Sequence, residues 1–347
     1  MTDFALDALL APVDEASPTG LDLEYDADFL ALERAAAPKA ERVMGDDVKA
    51  AEEPDWDSVA DMALALLRRS KDLRVAVHLS TAWLRTSGMP GWAAGMELVR
   101  GLLETWWDGV HPQLDAEDDN DPTARVNAVA PIGSLDGALG YFQTTPFVQS
   151  SRLGRFSLRD LRIANGEFKP AAPAGGEGET PAPPSLTEIE ACCMDCPEDE
   201  LTGTLAAVDR TLEHVRAIDQ LFGEHVGTAG PELKPLLADA QELKKFLGAQ
   251  LVRRNPQAAA EAGTEAGEAA GANAVAGNGR INGPQDVLRR IDDICDYYAR
   301  AEPSSPVPIL LRRAQRLVGM SFADLMKDLA PGGVSELQVI SGSSADE

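Results

Sequence analysis

At 347 residues the chain is long enough for about two domains, each with its own core, and a single compact unit is not expected. Its formal charge of −26, from 57 acidic against 31 basic residues, would repel a phosphate backbone or an anionic membrane face, which argues against nucleic acid as a partner. Three of its four cysteines crowd at Cys192, Cys193 and Cys196, which is no spaced disulfide framework, so reduced thiols are expected.

The first residues, Met-Thr-Asp-Phe-Ala-Leu-Asp, carry acids where a secretory signal needs bases. No apolar run approaches membrane-spanning length, so a cytoplasmic location without membrane insertion is expected. Residues 1 to 60 hold 16 acidic and 4 basic residues, and this leader, poor in apolar residues, reads as surface.

Helical periodicity then follows three times. Asp55 suits a cap for a helix with Trp56, Val59, Ala63 and Leu66/Leu67 on one stripe. A second helix is expected after Ser70 as N-cap, with Asp72 in its first turn, Lys71 exposed, and Leu73, Val77, Ser80 and Trp83/Leu84 on one face. It should stop at Ser-Gly-Met-Pro-Gly (87 to 91). The third starts near Trp92, aligns Met96, Val99, Leu102/Leu103 and Trp106, and ends by Pro112. Short turns imply that the three pack antiparallel. The acidic loop Asp115 to Asp121 should be exposed, Val126 to Phe147 adds one or two helices, and Phe156 to Ile163 alternates enough for a short strand. The fold of residues 148 to 169 stays open.

Two stretches have linker composition: residues 170 to 184, rich in proline, glycine and alanine, and residues 257 to 280, rich in alanine, glycine and glutamate. The second, as a flexible coil, has a mean reach of roughly 25 Å. An all-α chain in three modules results: an N-terminal helical domain (1 to 169), a middle helical hairpin (185 to 256) and a C-terminal module (281 to 347). In the middle, Leu201, Leu205, Val208, Leu212, Val215, Ile218 and Leu221 mark one long helix, and Pro231 to Leu251 a second. Two helices bury little by themselves, so this hairpin must lean on another domain or another copy.

In the C-terminal module, Val287, Ile291, Ile294/Cys295 and Tyr298 form one stripe, and Leu310, Ala314, Leu317, Ser321 and Leu325 another. Ile309, Leu311, Val318, Phe322, Met326 and Leu329 lie off that second stripe, leaving more apolar surface than a lone hairpin can bury. Residues 285 to 330 hold seven acids and seven bases, so copies of this module can approach one another without mutual repulsion. The expected oligomer interface is therefore Ile309, Leu310, Leu311, Val318, Phe322, Met326 and Leu329, with Arg312, Arg313 and Arg316 as an adjoining basic ridge.

No nucleophile elbow, P-loop or zinc-protease motif is present. Cys193-x-x-Cys196 has the spacing of half a zinc site, but only Cys295, His214 and His225 remain to complete it. Neither His78 nor His111 has a sequence neighbour that would make it base or ligand, and the clusters Asp46-Asp47, Glu52-Glu53 and Asp115 to Asp121 read as solvated loops. Neither catalytic residues, a cofactor nor a metal is expected, and the chain reads as a non-enzymatic, oligomeric binding protein.

Four ordered motifs carry a resemblance over roughly the first 150 positions. They are Pro-Thr-Gly-Leu-Asp-Leu-Glu-Tyr-Asp (18 to 26), Pro-Asp-Trp (54 to 56) with Arg-Arg-Ser-Lys-Asp-Leu-Arg-Val-Ala (68 to 76), Gly-Trp-Ala-Ala-Gly-Met-Glu-Leu (91 to 98), and Trp-Trp-Asp-Gly-Val-His-Pro (106 to 112) with Arg125-Val-Asn. Together they resemble the ImpA N-terminal domain that marks the TssA family of bacterial type VI secretion. Residues 306 to 317, with Phe322, Leu325 and Leu-Ala-Pro-Gly-Gly (329 to 333), are similar to the C-terminus of short-type members. That resemblance implies ring-forming self-association and contact with baseplate, tail-tube and sheath components, which would place the chain at the cytoplasmic face of the inner membrane through its partners. The alternatives are a related accessory protein that caps or anchors the sheath elsewhere, and a metal-dependent hydrolase built on the cysteine cluster.

Overall fold

The computed structural model describes residues 4–38, 42–44, 47–49, 53–168, 183–255, 288, 290–292, 294–295, 298 and 306–317. Two compact units divide the chain, Met1–Glu265 and Ala266–Glu347. The fold is largely helical, with two small antiparallel strand pairs.

The first unit opens with two short helices, α1 (Leu6–Leu10) and α2 (Ala27–Ala36). Asp26 caps α2 by accepting from the amides of Asp28 and Phe29, and its carboxylate also takes the Arg69 guanidinium at 2.7 Å. The leader expected at the surface instead inserts Leu9, Leu23, Phe29 and Leu32 into the core. Leu9, Phe29 and Leu32 sit at inward positions of the two short helices and Leu23 in the stretch between them, so a low apolar count does not mean exposure of the whole leader. The hairpin β1 (Arg42–Met44) and β2 (Asp47–Lys49) follows, with Val43 opposite Val48.

Helix α3 (Trp56–Leu67) has Asp55 as its N-cap and buries the expected stripe, Val59, Ala63, Leu66 and Leu67. Next comes α4 (Leu73–Trp106), which is interrupted at Gly88, with φ 65° and ψ −151°, and followed by Pro90. The expected stop at residues 87 to 91 is therefore a sharp reversal inside one helical hairpin, whose second arm begins earlier than Trp92. The arms pack antiparallel and very close: a Cβ on Gly95 would lie 2.5 Å from the Ser80 side chain, and one on Gly91 would lie 2.2 Å from the Trp83 carbonyl oxygen. The N-cap of α4 is Asp72, which accepts from the Arg74 amide, and not Ser70, whose hydroxyl donates to the Leu21 carbonyl at 2.7 Å.

Two helices fill the segment after the acidic loop, α5 (Thr123–Val129) and α6 (Ala138–Thr144). The open segment resolves into both structures: the hairpin β3 (Pro146–Ser150) and β4 (Gly154–Ser157), then α7 (Leu158–Ala164), started by a capping box between Ser157 and Asp160. In the middle region α8 (Leu186–Asp195) precedes the two expected long helices, α9 (Glu198–Val226) and α10 (Lys234–Arg254).

Helix α9 lies along α4, and α10 along α9, so one continuous core runs through both regions. Phe147 packs edge-on to Phe246 at 5.6 Å, Arg162 pairs with Glu242 at 2.6 Å and with Asp239, and Gln143 donates to Asp239 at 2.7 Å. The partner that the middle hairpin needs is thus the N-terminal helices, and the residues expected as two modules form one unit. In the second unit the described residues between 288 and 298 are helical and α11 spans Val307–Leu317.

Candidate functional site

Segments of three of the four sequence motifs, 18–21, 70–73 and 106–112 with Arg125, converge on one buried knot, in which backbone carbonyls receive most of the polar hydrogens. Lys71, expected at the surface, is buried, and its ammonium donates to the carbonyls of Leu9 at 2.7 Å and Leu67 at 3.1 Å. Burial lowers its pKa below the usual lysine value. The Lys71 amide donates to Thr19 O at 2.7 Å, the His111 amide to Lys71 O at 2.9 Å, and the Leu73 amide to His111 O at 2.8 Å. Gly20, at φ +72°, brings its carbonyl to 3.1 Å from His111 Nε2, and a Cβ there would strike the Arg69 carbonyl oxygen at 2.2 Å, so only glycine fits.

Arg125 completes the knot. Its guanidinium donates to the carbonyls of Pro112 (3.0 Å), Trp107 (2.6 Å) and Val110 (2.8 Å), stands 5.0 Å from the Trp107 ring, and is brought down to a pKa of about 10 by burial. Trp107 stacks on His225 at 3.9 Å and meets Phe222 edge-on at 5.5 Å, which ties the motif to the end of α9. These side chains hold the chain segments 18–21, 70–73 and 106–112 together. Their hydrogen bonds go to backbone carbonyls, and the one unpartnered nitrogen among them, His111 Nδ1, is buried.

The cysteine cluster is equally unsuited to nucleophilic chemistry. Cys192, Cys193 and Cys196 are buried at the end of α8, and burial pushes Cys192 up to about 11 and Cys193 up to about 12, so both stay protonated thiols near neutrality. Arg254 caps the turn by donating to the carbonyls of Cys193 (3.0 Å) and Cys196 (2.6 Å). Among the described residues no group of three or more His, Cys, Asp and Glu side chains could hold a metal ion. His214, also once a candidate ligand, stands 3.4 Å from the Arg100 guanidinium, and burial lowers its pKa. Glu53 pairs with Arg85 at 2.8 Å, and the Asp115–Asp121 loop is exposed and closed by its own backbone.

On α11 Leu310 is 67 % exposed, Leu311 is half-buried, and Arg312 and Arg313 face solvent, Arg312 pairing with Asp292 at 2.5 Å. Cys295 Sγ lies 4.0 Å from the Pro308 carbonyl, as expected if the two helical stretches form a hairpin. Ile309 and Arg316 belong to the same helix, while Val318, Phe322, Met326 and Leu329 lie outside the described residues.

A cleft of about 530 Å³ opens in the first unit between the leader, the start of α4 and the segment joining α5 to α6. Trp56, Val77, His78 and Tyr141 are among its walls, and Asp22, Glu24, Glu33 and Asp136 are its carboxylates. Nothing in the sequence reading located it, because its lining comes from four stretches far apart in the chain.

Residues 10–133 match the family described as ImpA, N-terminal, type VI secretion system. The chain is 40 % identical over 349 aligned residues to the type VI secretion system component TssA1 of Pseudomonas aeruginosa, covering 97 % of this chain and 98 % of that protein. It is similar in fold to the solved N-terminal domain, with the conserved ImpA_N region, of the TssA component from Burkholderia cenocepacia. That similarity has a TM-score of 0.57 at 24 % identity, over 74 % of this chain and 96 % of the other. With residues 10–133 matching that family and 40 % identity to a TssA component over 97 % of the chain, the chain belongs to the TssA family of type VI secretion system components.

Proposed function

We propose that the chain is a non-enzymatic assembly scaffold: its C-terminal module, residues 281 to 347, self-associates into a ring-like oligomer, and the first unit recruits baseplate, tail-tube and sheath components. The observation that carries the self-association is Leu310, which stands 67 % exposed on a helix where arginines flank it, in a region that holds equal numbers of acids and bases. Apolar side chains of that size gain from cover, and a second copy offers it without charge repulsion. The non-enzymatic reading is supported by the knot and the thiols, whose polar groups are tied to backbone or held protonated.

Light scattering of the purified chain tests the proposal. The full chain should run as a multimer at micromolar concentration, and deletion of residues 281 to 347 should reduce it to a monomer. A full chain that is already monomeric would contradict it.

A further inference from the structure

We propose that the cleft between the leader and α4 docks a segment of a partner protein that carries lysine or arginine beside large apolar side chains. This rests on the reading that the first unit recruits components of the secretion apparatus, and it names the surface and the chemistry.

Charge comes first. Four carboxylates line the cleft against one guanidinium, Arg74, and that one is already committed to Asp72 at 2.7 Å and Asp22 at 3.2 Å. Glu24, Glu33 and Asp136 have no cationic partner among the described residues. An anionic ligand or membrane face would be repelled, and a cationic segment drawn in.

Burial supplies the second argument. The three most exposed large apolar side chains described in this unit are Tyr25 at 88 %, Leu21 at 78 % and Leu135 at 64 %. Each is the immediate sequence neighbour of a carboxylate that lines the cleft: Glu24, Asp22 and Asp136. Acid that lines the cleft and uncovered apolar surface therefore adjoin along the chain at three points, more surface than a small ligand could cover. Inside, Trp56 and Tyr141 offer aromatic walls of the kind that anchor a side chain, and both can stack on a guanidinium. A third observation is His78. It lines the cleft, burial lowers its pKa, and neither ring nitrogen has a hydrogen-bond partner among the described residues. A neutral imidazole in a wall, with its bonding capacity unspent, suits a peptide backbone or side-chain amide.

The test uses the full chain, immobilised and offered short peptides tiled over the baseplate, tail-tube and sheath proteins of the same secretion system, with peptides from its own residues 306–317 in the set. Bound peptides should carry lysine or arginine among apolar residues. The variant Glu24→Lys/Glu33→Lys/Asp136→Lys, all surface positions, should weaken them by about tenfold or more with an unchanged melting temperature. Tyr25→Ser/Leu135→Ser should weaken them as well. No binding, a preference for acidic or uncharged peptides, a preference for the chain's own segment, or equal binding by the charge-reversed variant would overturn the proposal. Light scattering on the same samples separates the two readings: a multimer that binds no peptide overturns this inference alone, and a monomer that binds basic peptides supports it while overturning only the ring.

Discussion

Burying the Lys71 ammonium and the Arg125 guanidinium costs solvation that five backbone carbonyls, at 2.6 to 3.1 Å, offset, with the Asp108 carboxylate adding a weaker attraction for Arg125. Arg125→Ala would leave three buried acceptors and a void beside Trp107, so the chain should lose about 3 kcal/mol of stability with its denaturant slope unchanged. Urea unfolding followed by circular dichroism measures this. A pH dependence follows from His78 and His214, both lowered from 6.5 by burial. A depressed histidine means that the unfolded chain binds more protons, so stability is complete above the unfolded value and falls as pH drops below it. Between pH 7 and 5.5 the unfolding midpoint should decline, and His78→Gln/His214→Gln should flatten that decline. Lys71 shows why such roles escape a sequence reading. One acceptor, Leu9 O, lies 62 positions away, and no local pattern distinguishes a lysine that is buried by a distant segment from one in solvent.

Helix α3 begins where Asp55 and the apolar stripe placed it, because cap and periodicity agree within a single short segment. Ser70 and Asp72 are both good caps, and what decides between them is Leu21 O, which takes the serine hydroxyl and lies 49 positions away in the chain. Ser185 and Glu188 spell a capping box for α8, but only Ile189, Cys192 and Cys193 follow as a buried stripe, too few turns for periodicity to mark a helix. The β3–β4 hairpin and α7 share one stretch whose alternation and capping signals compete, Phe156 falling in the strand and Ser157 capping the helix one residue later. The two arms of α4 depend on small residues at their crossing. Gly95→Ala would place a methyl group 2.5 Å from the Ser80 side chain, forcing the arms apart at a cost of about 2 kcal/mol. A melting temperature unchanged by that substitution would contradict the close packing.

The chain divides into a first unit that contains residues 10–133, matched by the family, and a second unit whose residues 285 to 330 hold seven acids and seven bases. The sequence pattern located the long helices α9 and α10 but not what they cover. Ile218 and Phe222 on α9 are buried among apolar residues of one shared core, and helical periodicity marks an apolar face without naming its partner. Residues 1 to 169 alone should therefore lack a cooperative thermal transition and bind a hydrophobic dye, whereas residues 1 to 265 should melt as one unit. A sharp transition in the shorter fragment would show that the middle region is dispensable. The central claim is that the C-terminal module holds copies of the chain together. Electron microscopy of the purified full-length chain tests it most directly. Closed ring-like particles that disappear with Leu310→Glu are the predicted result, and single-chain particles at every concentration would contradict it.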